Sequence, residues 1–139
     1  MIVLDTKVIS EPTRAAPDTA VMLWLDRQSA ESLFVTTVSM AETLVGLERL
    51  PMGRRRARLE TIFAELMRSL FGGRILPFDE PAARAFPALI VKAASRGATI
   101  GFADGQIAAI ARAKGFVVAT RDVAPFEAAG VETINPWEC

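Results

Sequence analysis

Segments with the composition of β-strands alternate with segments of helical periodicity along the whole sequence. The first segment is the apolar run Ile2–Leu4, which suits a strand buried on both faces and stops at Asp5. Strands that alternate with helices indicate a parallel sheet, joined by right-handed crossovers and covered by helices on both faces. The pattern therefore predicts one α/β domain over residues 1–139.

The other predicted elements follow from local residue signals. Pro77 places the third strand at a sheet edge, because proline cannot donate a ladder hydrogen bond. Ser39 is the expected N-cap of the helix that follows the second strand. The later strands are predicted at Leu33–Thr37, Arg74–Phe78, Phe116–Ala119 and Val131–Ile134. The helices are predicted at Pro17–Arg27, from Ser39 to Leu50, at Arg54–Leu70, from Asp79 to Gly97 and at Ala103–Lys114, with a helical turn at Pro125–Ala129.

Two absences restrict the possible chemistry. The sequence contains no histidine, and its single cysteine is Cys139. A histidine general base, a Ser-His-Asp triad and a zinc site built on histidine or several thiolates are therefore excluded. With 16 basic and 16 acidic residues, no global charge attracts a polyanion. No signal peptide or membrane span is recognisable, so the cytoplasm is the expected location.

Four acids, Asp5, Glu42, Asp104 and Asp122, fall at predicted strand ends or helix starts. In a parallel sheet these positions share one edge, which is where ligands bind in such folds. Carboxylates that converge there repel one another unless a divalent cation keeps them ionised. Their hard oxygen atoms suit Mg²⁺ or Mn²⁺. The joint pattern therefore predicts a carboxylate metal site.

Each acid also has a purely structural explanation. Asp5 and Asp122 can be cap or turn residues, and Asp104 can simply complement the dipole of its helix. The segment Ser39–Glu42, SMAE, matches the capping box, in which a glutamate returns to the N-cap amide. For that segment alone, the capping explanation is favoured. Only the coincidence of all four positions favours a site.

At these acids the sequence resembles the PIN domain, and specifically the VapC/FitB-like toxins of bacterial toxin–antitoxin pairs. The end of the sequence, GVETINPWE, is similar to the close of FitB-like chains. The resemblance is carried by LDT at Leu4–Thr6, SMAE at Ser39–Glu42, ADGQIAAIA at Ala103–Ala111, ATRD at Ala119–Asp122 and the closing segment Gly130–Glu138.

The resemblance implies a three-layer α/β/α sandwich around a short, mainly parallel sheet. It implies a metal-dependent endoribonuclease that acts as a toxin, forms a homodimer and pairs with a small DNA-binding antitoxin, with no membrane association. The residues that match the acidic positions of the family, and would bind Mg²⁺, are Asp5, Glu42, Asp104 and Asp122. Thr120 matches the hydroxyl that supports the last acid, and Thr6, Lys7 and Arg121 are candidate RNA contacts.

Lys7 departs from the family pattern, in which an asparagine usually follows the Asp-Thr pair. Its ammonium could pair with Asp5 and compete with the metal ion, or it could contact substrate phosphate. If Lys7 points into the site, activity could be reduced. The alternative function is a catalytically impaired PIN-fold binding module that pairs with an antitoxin or RNA. A second alternative is a phosphoryl-transfer or receiver-like α/β domain, which needs a lysine at a later strand end, whereas Lys7 follows the first strand. Both alternatives rank well below the nuclease.

Other features are expected to be structural. The basic run Arg54–Arg58 is interpreted as a solvated helix face supported by an Arg56–Glu60 pair, with an RNA-backbone contact as the alternative. Gly105 would cost its helix about 1 kcal/mol relative to alanine. The apolar residues expected to pack inside the protein are Leu44, Leu47, Leu50, Leu59, Ile62, Phe63, Leu66, Phe126 and Trp137.

Overall fold

The computed structural model describes every residue from Met1 to Cys139. Its centre is a five-stranded sheet with the strand order β3-β2-β1-β4-β5. Every neighbouring pair of strands is parallel. The strands are β1 (Ile2–Leu4), β2 (Leu33–Thr36), β3 (Ile75–Leu76), β4 (Val117–Ala119) and β5 (Thr133–Ile134). As Pro77 predicted, β3 lies at an edge, and both edge strands are shorter than the sequence suggested.

Seven α-helices surround the sheet; six of them correspond to the predicted helical segments, whereas α1 was not predicted. They are α1 (Thr6–Ser10), α2 (Thr19–Asp26), α3 (Thr37–Glu48), α4 (Arg54–Ser69), α5 (Glu80–Ser95), α6 (Phe102–Lys114) and α7 (Val123–Ala128). The α6 helix ends at Gly115, whose φ of 72° is a left-handed conformation that glycine adopts without strain. None of the helices is long and apolar enough to cross a membrane.

Two apolar clusters hold the layers together. One joins Val3 and Val118 of the sheet to α5, α6 and α7, and includes the fully buried Phe126. The other joins Leu4 and Val35 to α1, α2 and α4, with Trp137 packed against it. Because the helices cover the two faces of the sheet separately, the predicted three-layer α/β/α sandwich is confirmed.

The start of α3 differs from the prediction. Its N-cap is Thr36, whose Oγ1 accepts a hydrogen bond from the Ser39 amide at 3.0 Å. Ser39 is therefore the third residue of the helix, and its buried hydroxyl has no hydrogen-bond partner. The capping-box interpretation of SMAE is wrong, because β2 runs directly into α3 and the threonine at its end caps the helix first. Glu42 then lies beyond the first turn.

The leucine-rich faces of α3 and α4 also differ from the prediction that they belong to the core. Phe63 is buried, but Leu44 is 47% exposed and Ile62 is 40% exposed. Leu47, Leu50, Leu59 and Leu66 line a groove of about 250 Å³ between α1, α3 and α4, together with Ile62 and Phe63. Leu47 and Leu66 still pack against the buried cluster around Phe63, so the prediction is wrong only for the exposed residues. Helical periodicity identifies an apolar face without showing whether another element covers it.

The α5 and α6 helices approach closely at Gly105. A Cβ atom at this position would lie 2.9 Å from Cε2 of Phe86 and 3.1 Å from Cδ1 of Ile90. The absence of a side chain therefore permits the contact that seats the first turn of α6 against α5. Helix packing thus offsets the expected propensity cost of about 1 kcal/mol.

Arg56 anchors the start of α4, as the sequence suggested. Its guanidinium pairs with Glu60 at 2.6 Å and with Glu48 of α3 at 3.0 Å. Its side chain therefore ties α4 to the end of α3. The other arginines of the basic run, Arg54, Arg55 and Arg58, are exposed.

Candidate active site

A polar pocket of about 260 Å³ lies at the carboxyl ends of the central strands. Its residues come from the segments that follow β1 and β4, from the first turns of α1 and α6, and from the second turn of α3. Its lining contains no hydrophobic residue and consists of Asp5, Thr6, Lys7, Glu42, Asp104 and Asp122. All six residues belong to the set predicted from sequence, so the structure brings together the four acids as expected from the parallel sheet.

Asp5 is the most firmly held of the acids. It is 7% exposed, and its Oδ1 accepts a hydrogen bond from the Thr6 amide at 2.8 Å. Its other oxygen, Oδ2, accepts from the Thr120 hydroxyl at 2.9 Å. Burial raises the pKa of Asp5, while the hydrogen bonds from Thr120 and Thr6 oppose the rise. Asp5 does cap α1, as its structural explanation proposed, but the second bond fixes its orientation across the sheet.

Thr120 connects two of the acids from behind the pocket. It follows β4 and is fully buried. Its hydroxyl donates to Asp5 and accepts from the backbone amide of Asp122 at 3.1 Å. The same side chain therefore orients the Asp5 carboxylate and fixes the backbone that carries Asp122.

Glu42 reaches the pocket from α3. Its Oε1 accepts a hydrogen bond from the Thr6 hydroxyl at 2.7 Å. This bond joins the first turn of α1 to α3, whereas the capping box would have returned the carboxylate to the start of its own helix. Glu42 is thus directed toward the other acids, and one of its oxygens has no partner within the protein.

Asp104 is the third residue of α6 and is half-buried. No hydrogen bond holds its carboxylate. Its pKa is raised from 3.8 to about 6, mainly by burial and in addition by the negative charges of Asp5, Glu42 and Asp122, while Lys7 acts in the opposite direction. A pKa raised by several neighbouring carboxylates is the electrostatic sign of acids that converge.

Asp122 and Arg121 lie beside each other after β4, but they have different surroundings. Asp122 occupies the N-cap position of α7, yet its side chain makes no capping hydrogen bond and instead lines the pocket. Arg121 does not line the pocket. Its guanidinium lies over the Trp137 ring, 5.3 Å from the ring centroid. The structure therefore separates this candidate RNA contact from the acids.

Lys7 lines the pocket from the second position of α1. Its side chain is exposed and forms no ion pair within 4.0 Å with any carboxylate. Its charge nevertheless lowers the pKa of both Asp5 and Asp104. Lys7 thus faces the acids without being neutralised by one of them.

The donor set fits a hard divalent cation in its chemistry. Four carboxylates and a threonine hydroxyl offer only oxygen atoms, and no apolar side chain obstructs the pocket. In their present positions, no three of the acids are close enough together to bind one metal ion. Asp5, Glu42 and Asp122 nevertheless repel the Asp104 carboxylate and contribute, after burial, to its raised pKa. A cation at their centre would remove that repulsion.

A parallel α/β/α sandwich with acids at the carboxyl edge of its sheet is the arrangement of the PIN domain. Residues 2–131 of the chain match this family. The chain belongs to this family. It is 49% identical over 138 residues to the VapC ribonuclease Y4jK of Sinorhizobium fredii and 42% identical over 137 residues to toxin FitB of Neisseria gonorrhoeae. Each alignment covers 99% of both chains, so the resemblance to VapC/FitB-like toxins is confirmed.

Solved structures agree with this assignment. The crystal structure of FitAcB from Neisseria gonorrhoeae matches with a TM-score of 0.95 and 41% identity over the whole of both chains. A structure of FitAB bound to a DNA fragment matches with a TM-score of 0.94 and 42% identity, covering 99% of this chain and 96% of the other. The fold is therefore shared along the full sequence.

Proposed function

We propose that residues 1–139 form a single PIN domain that acts as a divalent-metal-dependent endoribonuclease, the toxin of a toxin–antitoxin pair. The observation that carries the proposal is the convergence of Asp5, Glu42, Asp104 and Asp122 on one pocket without apolar lining. The relatives named VapC ribonuclease and toxin FitB support the substrate class and the biological role. A sequence without histidine has few other means of cutting RNA.

The residues of the pocket have distinct parts in this proposal. Asp5, Glu42, Asp104 and Asp122 would hold Mg²⁺ or Mn²⁺ through their carboxylate oxygens. When bound, such an ion supplies an activated water and neutralises charge at the scissile phosphate. Thr120 keeps Asp5 oriented through its 2.9 Å hydrogen bond, and Thr6 does the same for Glu42. Asp104 must lose its proton to bind a cation, and its pKa of about 6 permits this at neutral pH.

The proposed RNA contacts differ in their support. Thr6 and Lys7 line the pocket, so both can meet the phosphate that is cut. Arg121 lies outside the pocket over Trp137, and its exposed guanidinium could contact only a flanking nucleotide. We assign the cleavage chemistry to the pocket residues and a peripheral contact to Arg121.

An antitoxin partner is part of the same proposal. The matched structures include FitAB and VapBC assemblies, and three of them are described as bound to DNA or to a DNA fragment. In this chain the groove between α1, α3 and α4 shares Thr6 and Glu42 with the acid pocket. A small DNA-binding antitoxin with an apolar segment would therefore fill the groove and reach the acids. We also propose a homodimer that acts in the cytoplasm.

The proposal is tested by RNA cleavage with the purified full chain, freed of any partner. We expect cleavage with Mg²⁺ or Mn²⁺ and none with a chelator, and we expect Asp104→Asn to lose at least about tenfold. Glu132→Gln is the matched control. Glu132 is an exposed acid at the amino end of β5, whereas the pocket lies at the carboxyl ends of the strands.

The second candidate function, an impaired binding module, is favoured by the presence of Lys7 in the pocket. This function predicts that the protein binds RNA or an antitoxin but does not cleave RNA with either Mg²⁺ or Mn²⁺. That result would overturn the nuclease proposal, whereas cleavage by the parent protein and by Glu132→Gln would eliminate the binding module.

A further inference from the structure

Lys7 is the only cationic residue that lines the acid pocket. It follows Asp5 by two positions and is the second residue of α1, where its carbonyl oxygen accepts hydrogen bonds from the Glu11 amide and the Ser10 hydroxyl. Its ammonium lies beyond 4.0 Å from every carboxylate, and no hydrogen bond occupies it. Lys7 therefore contributes an unneutralised positive charge to the pocket.

The charges that line the pocket limit how many cations it can hold. Four ionised carboxylates and one ammonium give a formal charge of −3. One divalent ion would leave −1, whereas two would leave +1. A second ion would also have to share the pocket with the ammonium, which repels it. Even at the dielectric constant of bulk water, a unit positive charge about 6 Å from a divalent cation weakens binding of that cation by about tenfold.

We propose that Lys7 limits this pocket to a single divalent ion. Its ammonium neutralises charge that a second ion would otherwise neutralise. The inference rests on the proposed function, because it requires the acids to bind divalent cations. It concerns the number of ions bound, which is measured without RNA and without turnover.

Three substitutions isolate the charge of Lys7. Lys7→Met keeps an unbranched side chain and removes the charge, whereas Lys7→Arg keeps the charge. Lys114→Met is the matched control, because Lys114 is exposed in the last turn of α6, ten residues from Asp104. At 1.5 Å per residue this separation is about 15 Å along the helix axis, where salt screens most of the interaction.

The experiment counts the Mn²⁺ ions bound to each full-length protein by equilibrium dialysis at fixed ionic strength, with free Mn²⁺ measured by electron paramagnetic resonance. We expect one ion in the parent, Lys7→Arg and Lys114→Met proteins. We expect two ions in Lys7→Met, with the second bound at least about tenfold more tightly than any second ion in the parent. Because Lys7 is exposed, thermal melts should show that all four proteins are folded.

Two results would overturn the proposed role of Lys7 and leave the metal dependence of the protein intact. They are two bound ions in the parent protein, or a single bound ion in Lys7→Met. The absence of ions from all four folded proteins would overturn this inference and the metal dependence of the proposed function together. The RNA cleavage assay with Asp104→Asn then tells whether nuclease activity fails as well.

Discussion

Asp104→Asn should make the metal-free protein more stable while removing its proposed activity. Asparagine keeps the shape of the side chain and removes a charge that its neighbours repel. No hydrogen bond reaches the Asp104 carboxylate, so the substitution breaks none. The stabilisation should therefore equal the electrostatic cost of ionising Asp104 in the folded protein.

The magnitude follows from the pKa of Asp104, which rises from 3.8 to about 6 on folding. At 1.36 kcal/mol for each pKa unit, ionising this group costs the folded state at most about 3 kcal/mol. Because the side chain is about half exposed, solvent screening reduces the expected value to about 1–2 kcal/mol at pH 7.

The sign of the pH dependence follows from the raised pKa. Between pH 4 and pH 6 the folded protein binds more protons at Asp104 than the unfolded chain does, so its stability falls as the pH rises through this window. Well below pH 3.8 the carboxyl is protonated in both states and the cost disappears. The advantage of Asp104→Asn should therefore be small near pH 4 and reach its full value above about pH 6.5.

Urea unfolding in the presence of a chelator measures this effect at pH 4.5 and pH 7.5, with Glu132→Gln as the control for removal of a remote acid. Adding Mg²⁺ should then stabilise the parent protein by mass action and leave Asp104→Asn nearly unchanged. An equal stability difference at both pH values, or a variant less stable than the parent at pH 7.5, would show that folding does not disfavour the ionised form of Asp104.

Two further substitutions test how the acids are held. Glu42→Gln should lower Mg²⁺-dependent RNA cleavage by at least about tenfold. Its melting temperature should change little, because Glu42 does not cap α3 and glutamine can still accept the hydrogen bond from Thr6. A melting temperature lowered by more than about 5 °C would indicate a structural role instead. Thr120→Val should lower the free energy of unfolding by about 1.5–3 kcal/mol, because it leaves a buried oxygen of Asp5 without its donor, whereas Thr120→Ser should retain most of the stability. Equal stability of the valine and serine variants in urea unfolding would contradict the importance of that hydrogen bond.

The positions of the acids could be predicted because they follow from chain topology. Asp5 and Asp122 come after strands that pair in parallel, and parallel strands end at the same edge of a sheet. The apolar run of β1 and the helical spacing of α6 are both local patterns. The convergence of the acids therefore required no knowledge of side-chain packing.

The cap of α3 could not be predicted in the same way. Thr36 and Ser39 are both good N-cap residues, and the choice depends on where β2 stops. Thr36 pairs with Leu76 of β3, so the strand continues up to the first residue of the helix. That pairing joins segments forty positions apart. A local motif such as SMAE does not contain this information.

The exposure of the leucine-rich helices and the direction of Lys7 also depend on distant parts of the chain. Leu44 and Ile62 have the periodicity of core residues, but no other element of the fold covers them. Lys7 faces the pocket because α1 begins directly after Asp5. From sequence, a lysine at this position could equally have pointed into solvent.

The hydrogen bond between Thr120 and Asp5 joins residues 115 positions apart. During synthesis β1 leaves the ribosome long before β4, although Ile2 pairs with Val117. Until β4 emerges, β1 has an open edge, and Asp5 has neither the hydroxyl that orients it nor Asp122 beside it. At about 5–20 residues per second, this delay lasts several seconds or more. The acid pocket is therefore incomplete during translation, and it assembles only once the segment beyond β4 has been made.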